Sequence, residues 1–142
     1  MFGNIVAWRD LWEDTEGIYY YDFSTNIKSN ISHKYLGKPL VSGNYIFMGS
    51  TLYNINTKEM STVIGGGGLD VYGKKLILID ESGQFYRKII LHDIESNIQK
   101  DITTGKQEDG LNPFWPKIYK DKIVWINAIN GKNELMLTQL KS

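Results

Sequence analysis

Short apolar runs alternate with polar stretches along the whole chain, and no long segment keeps a helical period. The runs are rich in β-branched and aromatic side chains and are bounded by Gly, Asn, Asp and Ser. This chemistry is typical of strands and turns. The pattern predicts an all-β protein.

Two short patterns repeat along the chain. The first is Asp, Asn or Gln, then an apolar residue, any residue, and Ser or Thr; it occupies residues 22–25, 54–57, 93–96 and 139–142. The second is a two-residue turn followed by an apolar run, and it starts at Gly3, Gly43, Gly73 and Lys120. The spacings of 40, 30 and 47 residues are close to the length of a four-stranded propeller blade.

The repeats predict a β-propeller made of about four 4-stranded antiparallel blades in one domain over residues 1–142. The repeat boundaries are 1–32, 33–64, 65–103 and 104–142. The chain opens before a second strand and stops before a fourth one, so the first and last blades are incomplete. We therefore expect fourteen strands in blades of three, four, four and three, which form a partial or half ring.

The units resemble the WD40-like repeats of TolB-like and archaeal surface-protein β-propellers. The best match is GNIVAWRD, residues 3–10, followed by GIYYYDFST, residues 17–25; the last repeat keeps Ile123, Val124 and Trp125. The resemblance implies the fold, and it implies a cell-envelope or extracellular setting as part of a longer protein. It implies no particular function, because these positions are structural.

A glycine-rich segment, residues 65–75, invites comparison with a phosphate-binding loop. From Gly68 it reads G-x-x-x-x-G-K, but Lys75 stands where a P-loop has Ser or Thr. A P-loop also needs a helix after its lysine, and here an apolar strand-like run follows. We interpret Gly73 and Lys74 as a turn between strands, and residues 65–68 as a crossing between blades.

Composition excludes several classes of function. The net charge is zero, the only arginines are Arg9 and Arg87, and the lysines are scattered, so we expect no nucleic-acid partner. The chain has no cysteine, which excludes thiolate metal sites and cysteine nucleophiles. We also expect no cofactor and no membrane span. No signal peptide follows Met1, so the chain is either cytoplasmic or a piece of a longer exported protein.

Two groups of polar residues are candidates for chemistry. The loop after residue 9 holds four carboxylates, which is a weak calcium candidate; it lacks the EF-hand spacing, and a solvated loop is the favoured interpretation. The two histidines, His33 and His92, have no serine or carboxylate arranged with them in a recognisable pattern, so we predict no catalytic residue. The carboxylates are Asp10, Glu13, Asp14 and Glu16.

The four tryptophans divide into two pairs. Trp8 and Trp125 fill equivalent repeat positions, so we expect both to pack in the core. Trp12 and Trp115 lie outside the regular strands and are our candidates for ligand or partner binding. Tyr19, Tyr20 and Tyr21 must alternate across their strand.

These observations favour a non-catalytic scaffold for protein binding or self-assembly. One form of self-assembly is a head-to-tail homodimer that closes a ring of about eight blades. An alternative is a glycan-binding propeller that uses Trp12 and Trp115. A further alternative is an enzyme with its active site at the axis of the propeller, although the sequence contains no recognisable nucleophile or acid–base pair.

Overall fold

The computed structural model describes residues 3–34, 36–63, 67–81, 87–104, 113–129 and 131–141. These residues form fourteen strands in four separate antiparallel sheets. The chain divides into two compact units, Met1–Ile64 and Gly65–Ser142, and each holds two sheets.

The first unit contains a three-stranded and a four-stranded sheet. The first sheet has the order β1-β2-β3 and the second has the order β4-β5-β6-β7. The strands of the first sheet are β1 (Ile5–Asp10), β2 (Gly17–Asp22) and β3 (Ile27–Ser32). Those of the second sheet are β4 (Pro39–Ser42), β5 (Tyr45–Met48), β6 (Thr51–Asn54) and β7 (Met60–Thr62).

The second unit also contains one four-stranded and one three-stranded sheet, but here the four-stranded sheet comes first in the chain. The third sheet has the order β8-β9-β10-β11 and the fourth has the order β12-β13-β14. The strands of the third sheet are β8 (Gly67–Tyr72), β9 (Lys75–Asp80), β10 (Lys88–Asp93) and β11 (Ile98–Asp101). Those of the fourth are β12 (Pro113–Tyr119), β13 (Lys122–Ile129) and β14 (Lys132–Gln139).

The second sequence pattern forms a tight turn directly before β1, β5, β9 and β13. Gly43 joins β4 to β5 and Lys120 joins β12 to β13, and both have a φ of 56°. Two-residue hairpin turns need a positive φ at their first central residue, which glycine adopts without strain and lysine does not. The pattern therefore marks backbone geometry.

The first sequence pattern forms a side-chain-stabilised loop at the end of the next strand. In the first sheet, Asp22 Oδ1 accepts hydrogen bonds from Ser24 N at 2.8 Å and Ser24 Oγ at 2.6 Å. In the third, Asp93 Oδ1 accepts from Ser96 N and Ser96 Oγ, both at 2.9 Å. These bonds hold the pKa of each carboxyl below its ordinary value. The recurring Asp is thus the hydrogen-bond acceptor of an Asx turn, and its donor is the third residue of the pattern in one sheet and the fourth in the other.

The two patterns meet in every sheet. The N–H of the apolar residue in the Asx loop donates to the carbonyl of the second residue of the tight turn, for example Ile94 N to Lys74 O at 2.8 Å. This bond joins the two loops at one end of the sheet and explains why both patterns recur together. The other three bonds are Phe23 to Asn4, Ile55 to Asn44 and Leu140 to Asp121.

Each unit has a hydrophobic core where its two sheets face each other. In the first unit Ile18 and Tyr20 of the first sheet lie in one cluster with Ile46 and Met48 of the second. A matching cluster in the second unit is formed by Ile77, Ile89, Ile118, Ile123 and Trp125. The cores arise because alternate residues of each strand point to the same side of the sheet.

The glycine-rich segment is a turn flanked by strands. Gly67 and Gly68 belong to β8, Gly73 and Lys74 form the turn, and β9 follows at once. The expected crossing between blades is therefore wrong for Gly67 and Gly68, while residues 65 and 66 lie outside the described part. Among the residues that the structure describes, no helix is long and apolar enough to span a membrane.

Candidate functional site

The loop between β1 and β2 holds the most exposed tryptophan of the first unit. Trp12 is 79% exposed and the neighbouring Leu11 is 66% exposed. The backbone beneath them is ordered: Trp12 N donates to Asp10 Oδ1 at 3.3 Å, and Thr15 N donates to Trp12 O at 2.9 Å. Tyr19 Oη donates to Thr15 O at 3.0 Å and anchors the loop on β2. The loop therefore presents two apolar side chains from a fixed backbone.

Two of the four carboxylates at this loop contact its own residues or the adjoining strand. Asp10 caps the turn, and Glu16 Oε1 lies 3.7 Å from Arg9 Nη2. Within the described ranges, which include this loop, no group of three or more acidic or histidine side chains is placed to hold a metal ion. Asp10 ends β1, and Glu13, Asp14 and Glu16 lie in the loop that follows it.

Trp115 lies within β12, so the prediction that it is outside the regular strands is wrong; the strand bulges there, and Trp115 has an unusual backbone position. It has a φ of 49° and is 75% exposed, although its neighbour Pro116 is fully buried. The pairing of β12 with β13 shifts register between Phe114 and Lys117, which marks a bulge. A positive φ is rare for a bulky residue and is found most often at binding and switch sites. Trp12 and Trp115 belong to different compact units.

The two histidines have different environments. His33 is exposed, whereas His92 on β10 is 2% exposed and its Nδ1 has no hydrogen-bond partner among the described residues. Burial lowers the pKa of His92, and the nearby Asp93 opposes this shift. Burial inside the third sheet thus disfavours the charged form of this imidazole.

A polar contact links the first two sheets. Lys58, in the loop before β7, donates from Nζ to Tyr20 Oη and lies over the Tyr20 ring. Burial raises the pKa of Tyr20, but hydrogen bonds from Lys58 and Ser29 outweigh it and lower the pKa below its ordinary value. Tyr53 packs beside Tyr20 at 6.1 Å between ring centroids. The cluster satisfies a buried hydroxyl between the sheets.

The outer side of the first sheet is an aromatic surface. Trp8 and Tyr19 stack at 5.9 Å, and Lys28 Nζ lies 4.7 Å above the Tyr19 ring. Tyr21 is on the same side, opposite Tyr20, as the alternation predicted. A groove of about 310 Å³ runs beside Trp8 and is lined by Ala7, Trp8, Arg9, Lys38 and Pro39.

The expectation that both repeat tryptophans lie in the core holds for one of them. Trp125 is 6% exposed and packs between the third and fourth sheets. Trp8 is half-buried and lies outside the core of its unit. The prediction for Trp8 is wrong because no sheet of the first unit packs on that side of β1.

Sequence reasoning also missed a buried amide. Asn127 on β13 is completely buried, and neither its Oδ1 nor its Nδ2 has a hydrogen-bond partner in the part of the chain that the structure describes. It occupies the repeat position of Asp10, two residues after the tryptophan. The identity of the residue carried no signal of its burial.

Comparison with known proteins identifies the architecture. No protein-family model matches the sequence, and no curated protein matches it. The structure of TolB from Acinetobacter baumannii is similar over 96% of this chain, with a TM-score of 0.67 and 17% identity. The fold is a partial β-propeller. The acylaminoacyl peptidase of Pyrococcus horikoshii is similar over 94%, with a TM-score of 0.61 and 13% identity.

The predicted TolB-like propeller repeats are thus confirmed, together with the division into blades of three, four, four and three strands. The propeller chain spans 38% of the length of TolB and 28% of that of the peptidase. At these identities the likeness concerns the fold alone.

Proposed function

We propose that this partial propeller is a non-catalytic module that binds a protein partner through the loop carrying Leu11 and Trp12. The observation that supports the proposal most directly is the 79% exposure of Trp12 above a hydrogen-bonded loop. Tryptophans that fill pockets of a partner dominate many interfaces. A preordered backbone reduces the entropy lost on binding.

The absence of a catalytic role is part of the proposal. His92 is buried in the second compact unit, while His33 is exposed in the first. The Tyr20–Lys58 contact lies between packed sheets, where it satisfies a buried hydroxyl. A screen of the purified chain against hydrolase and lyase substrates should give no turnover. Turnover abolished by Lys58→Met would contradict the proposal.

The setting that we propose is the cell envelope. It is supported by the resemblance to TolB-like propellers. Fractionation of native cells, with detection of the full gene product, tests this part of the proposal. Recovery in the cytoplasmic fraction would overturn it.

Partner binding can be tested by cross-linking in native cells. A photoreactive phenylalanine analogue in place of Trp12 should yield a discrete product that contains a second protein. The matched control is the analogue at Tyr119, which is 63% exposed and lies at the end of β12. The same product from both positions, or none from Trp12, would contradict the proposal.

Glycan binding is the second candidate, and it is supported by the exposure of both Trp12 and Trp115. Flat aromatic rings on loops are suited to stacking on sugar rings. Binding on a glycan array that is lost in Trp12→Ala or Trp115→Ala, but kept in Tyr119→Ala, would favour this function. An empty array at high protein concentration would exclude it.

A further inference from the structure

Inside each unit, equivalent repeat positions carry the packing of the second sheet on the first and of the fourth sheet on the third. Three residues after each tight-turn start stands an aliphatic residue, and five residues after it stands a second large side chain. In the second, third and fourth sheets all of these are buried, whereas Val6 and Trp8 in the first sheet are half-buried. The buried residues are Ile46, Met48, Leu76, Leu78, Ile123 and Trp125.

We call the half-buried side of the first sheet the leading face and define it by Val6, Trp8, Tyr19 and Tyr21. Val6 pairs with Tyr21 and Trp8 with Tyr19, so the four side chains share one side of the sheet. In the fourth sheet the equivalents of Val6 and Trp8 pack on the third sheet. The leading face therefore has the pattern of a surface that covers another sheet.

A second set of positions carries the packing of the first sheet on the second and of the third sheet on the fourth. The count starts from the first residue of the first sequence pattern, which is residue 22 in the first sheet, 93 in the third and 139 in the fourth. Four residues before it stand Ile18, Ile89 and Leu135, which are 0%, 0% and 78% exposed. Two residues before it, Tyr20 is 2% exposed and Leu137 is 61% exposed. The same repeat position is thus core in the first and third sheets and open in the fourth.

We call this open side of the fourth sheet the trailing face and define it by Val124, Ile126, Leu135 and Leu137. Val124 pairs with Leu137 and Ile126 with Leu135, so the four aliphatic side chains are contiguous. An exposed aliphatic cluster of this kind is typical of an interaction surface.

Inside each unit, a trailing position is covered by leading positions of the next sheet. Ile18 and Tyr20 lie in one core with Ile46 and Met48, and Ile89 lies in one core with Ile123 and Trp125. In the fourth sheet, Leu135 and Leu137 stand at the same trailing positions without such cover among the described residues. Within the described ranges, the half-buried leading face belongs to the first sheet.

We infer that the trailing face of one copy packs on the leading face of a second copy, head to tail. The aliphatic side chains of Leu135 and Leu137 would meet the rings of Trp8 and Tyr19. Such an interface uses two different surfaces of the molecule, so it produces a closed ring or a growing chain of copies. The inference goes beyond the proposed function and is independent of it, because it does not use Leu11 or Trp12.

The test measures solution mass by size-exclusion chromatography with light scattering over a hundredfold range of concentration. Wild type should exceed the mass of one chain as concentration rises. Leu135→Asp with Leu137→Asp, and separately Trp8→Glu, should each reduce the mass to one chain at every concentration. The control Ile98→Asp changes an aliphatic residue that is 64% exposed on β11 and should behave as wild type.

Mixing the two variants identifies the geometry. The double Asp variant keeps its leading face and Trp8→Glu keeps its trailing face, so the mixture should form a one-to-one dimer and nothing larger. Absence of this dimer would overturn the head-to-tail arrangement, as would a wild-type mass of one chain throughout. If circular dichroism shows that Trp8→Glu is unfolded, Tyr21→Glu replaces it. Loop cross-linking at Trp12 should survive in the double Asp variant whatever the mass.

Discussion

The first and fourth sheets show how one repeat position acquires two environments. Trp8 on β1 and Trp125 on β13 stand at the same place in their repeats, five residues after the tight-turn start. Trp125 is 6% exposed against the third sheet, whereas Trp8 is half-buried and stacks on Tyr19. The difference arises from the presence or absence of a preceding sheet in the same unit, since both residues have the same local strand geometry.

The same contrast between a buried and an exposed residue holds at the trailing positions. Truncating the side chain there should give the largest difference in the free energy of unfolding between equivalent positions. Ile89→Ala should lower the free energy of unfolding by about 2–5 kcal/mol, because it leaves a cavity in a closed core. Leu135→Ala occupies the equivalent position but is 78% exposed, so its change should stay within about 0.5 kcal/mol. Urea unfolding at a concentration where the chain is monomeric measures both. Equal losses would show that Leu135 is covered within one chain.

A second pair is Asp10 and Asn127, two residues after these tryptophans. Asp10 is partly exposed and caps a turn, whereas Asn127 is fully buried with both amide atoms unpartnered among the described residues. Asn127→Leu should raise the free energy of unfolding by about 1–3 kcal/mol, because a buried polar group without a partner is destabilising. The measurement is again urea unfolding, with Asp10→Leu as the matched control. Destabilisation by Asn127→Leu would show that the amide is hydrogen-bonded in solution.

A third pair is Tyr21 and His92, which both stand one residue before the aspartate of the first sequence pattern. The buried histidine of this pair predicts that the stability of the fold depends on pH. Tyr21 Oη donates to Asn26 Oδ1 on the surface, while His92 is buried. Burial lowers the folded-state pKa of His92 below its ordinary 6.5, so the unfolded chain takes up a proton first. The stability contribution is present above pH 6.5 and is lost as the pH falls toward the folded pKa.

The pH dependence is measured as the thermal midpoint at about pH 7.5 and about pH 5.5, on either side of the histidine range. Wild type should be less stable at the lower pH, and His92→Leu should reduce that difference. His33→Asn changes the exposed histidine and should leave the difference unaltered. A dependence that follows His33 would contradict the assignment.

The smallest expected effect is at the tight turns. Gly43 and Lys120 share a φ of 56°, and a Cβ at Gly43 would contact nothing within 4 Å. Lys120→Gly should therefore stabilise the fourth sheet by about 1 kcal/mol, less the contact of its ammonium with the Tyr119 ring. Gly43→Ala should destabilise by about 1 kcal/mol through backbone strain alone. The thermal midpoints of both variants measure these effects. If both substitutions raise the midpoint, or both lower it, the explanation by backbone strain at the turn is wrong.

Much of the fold could be predicted from local chemistry. The alternation of apolar residues determined the strands, and the spacing of two short patterns determined the blades of three, four, four and three strands. The Asx-turn pattern was visible as a repeat, but its physical role appeared only when Asp22 and Asp93 were seen to accept hydrogen bonds from their own loops. The site was less predictable: Trp12 and Trp115 were named from position alone, and their exposure came from the structure.

The sequence by itself determined the number of strands and the position of the tight turns, because φ preference, side-chain alternation and hydrogen bonding between near neighbours are local properties. Burial was decided by the tertiary structure. Ile18, Ile89 and Leu135 are interchangeable in pattern, yet two are completely buried and one is 78% exposed. The physical reason is that burial depends on whether another sheet covers that side of the strand. That sheet comes from a distant part of the chain or, as we infer for Leu135, from a second copy.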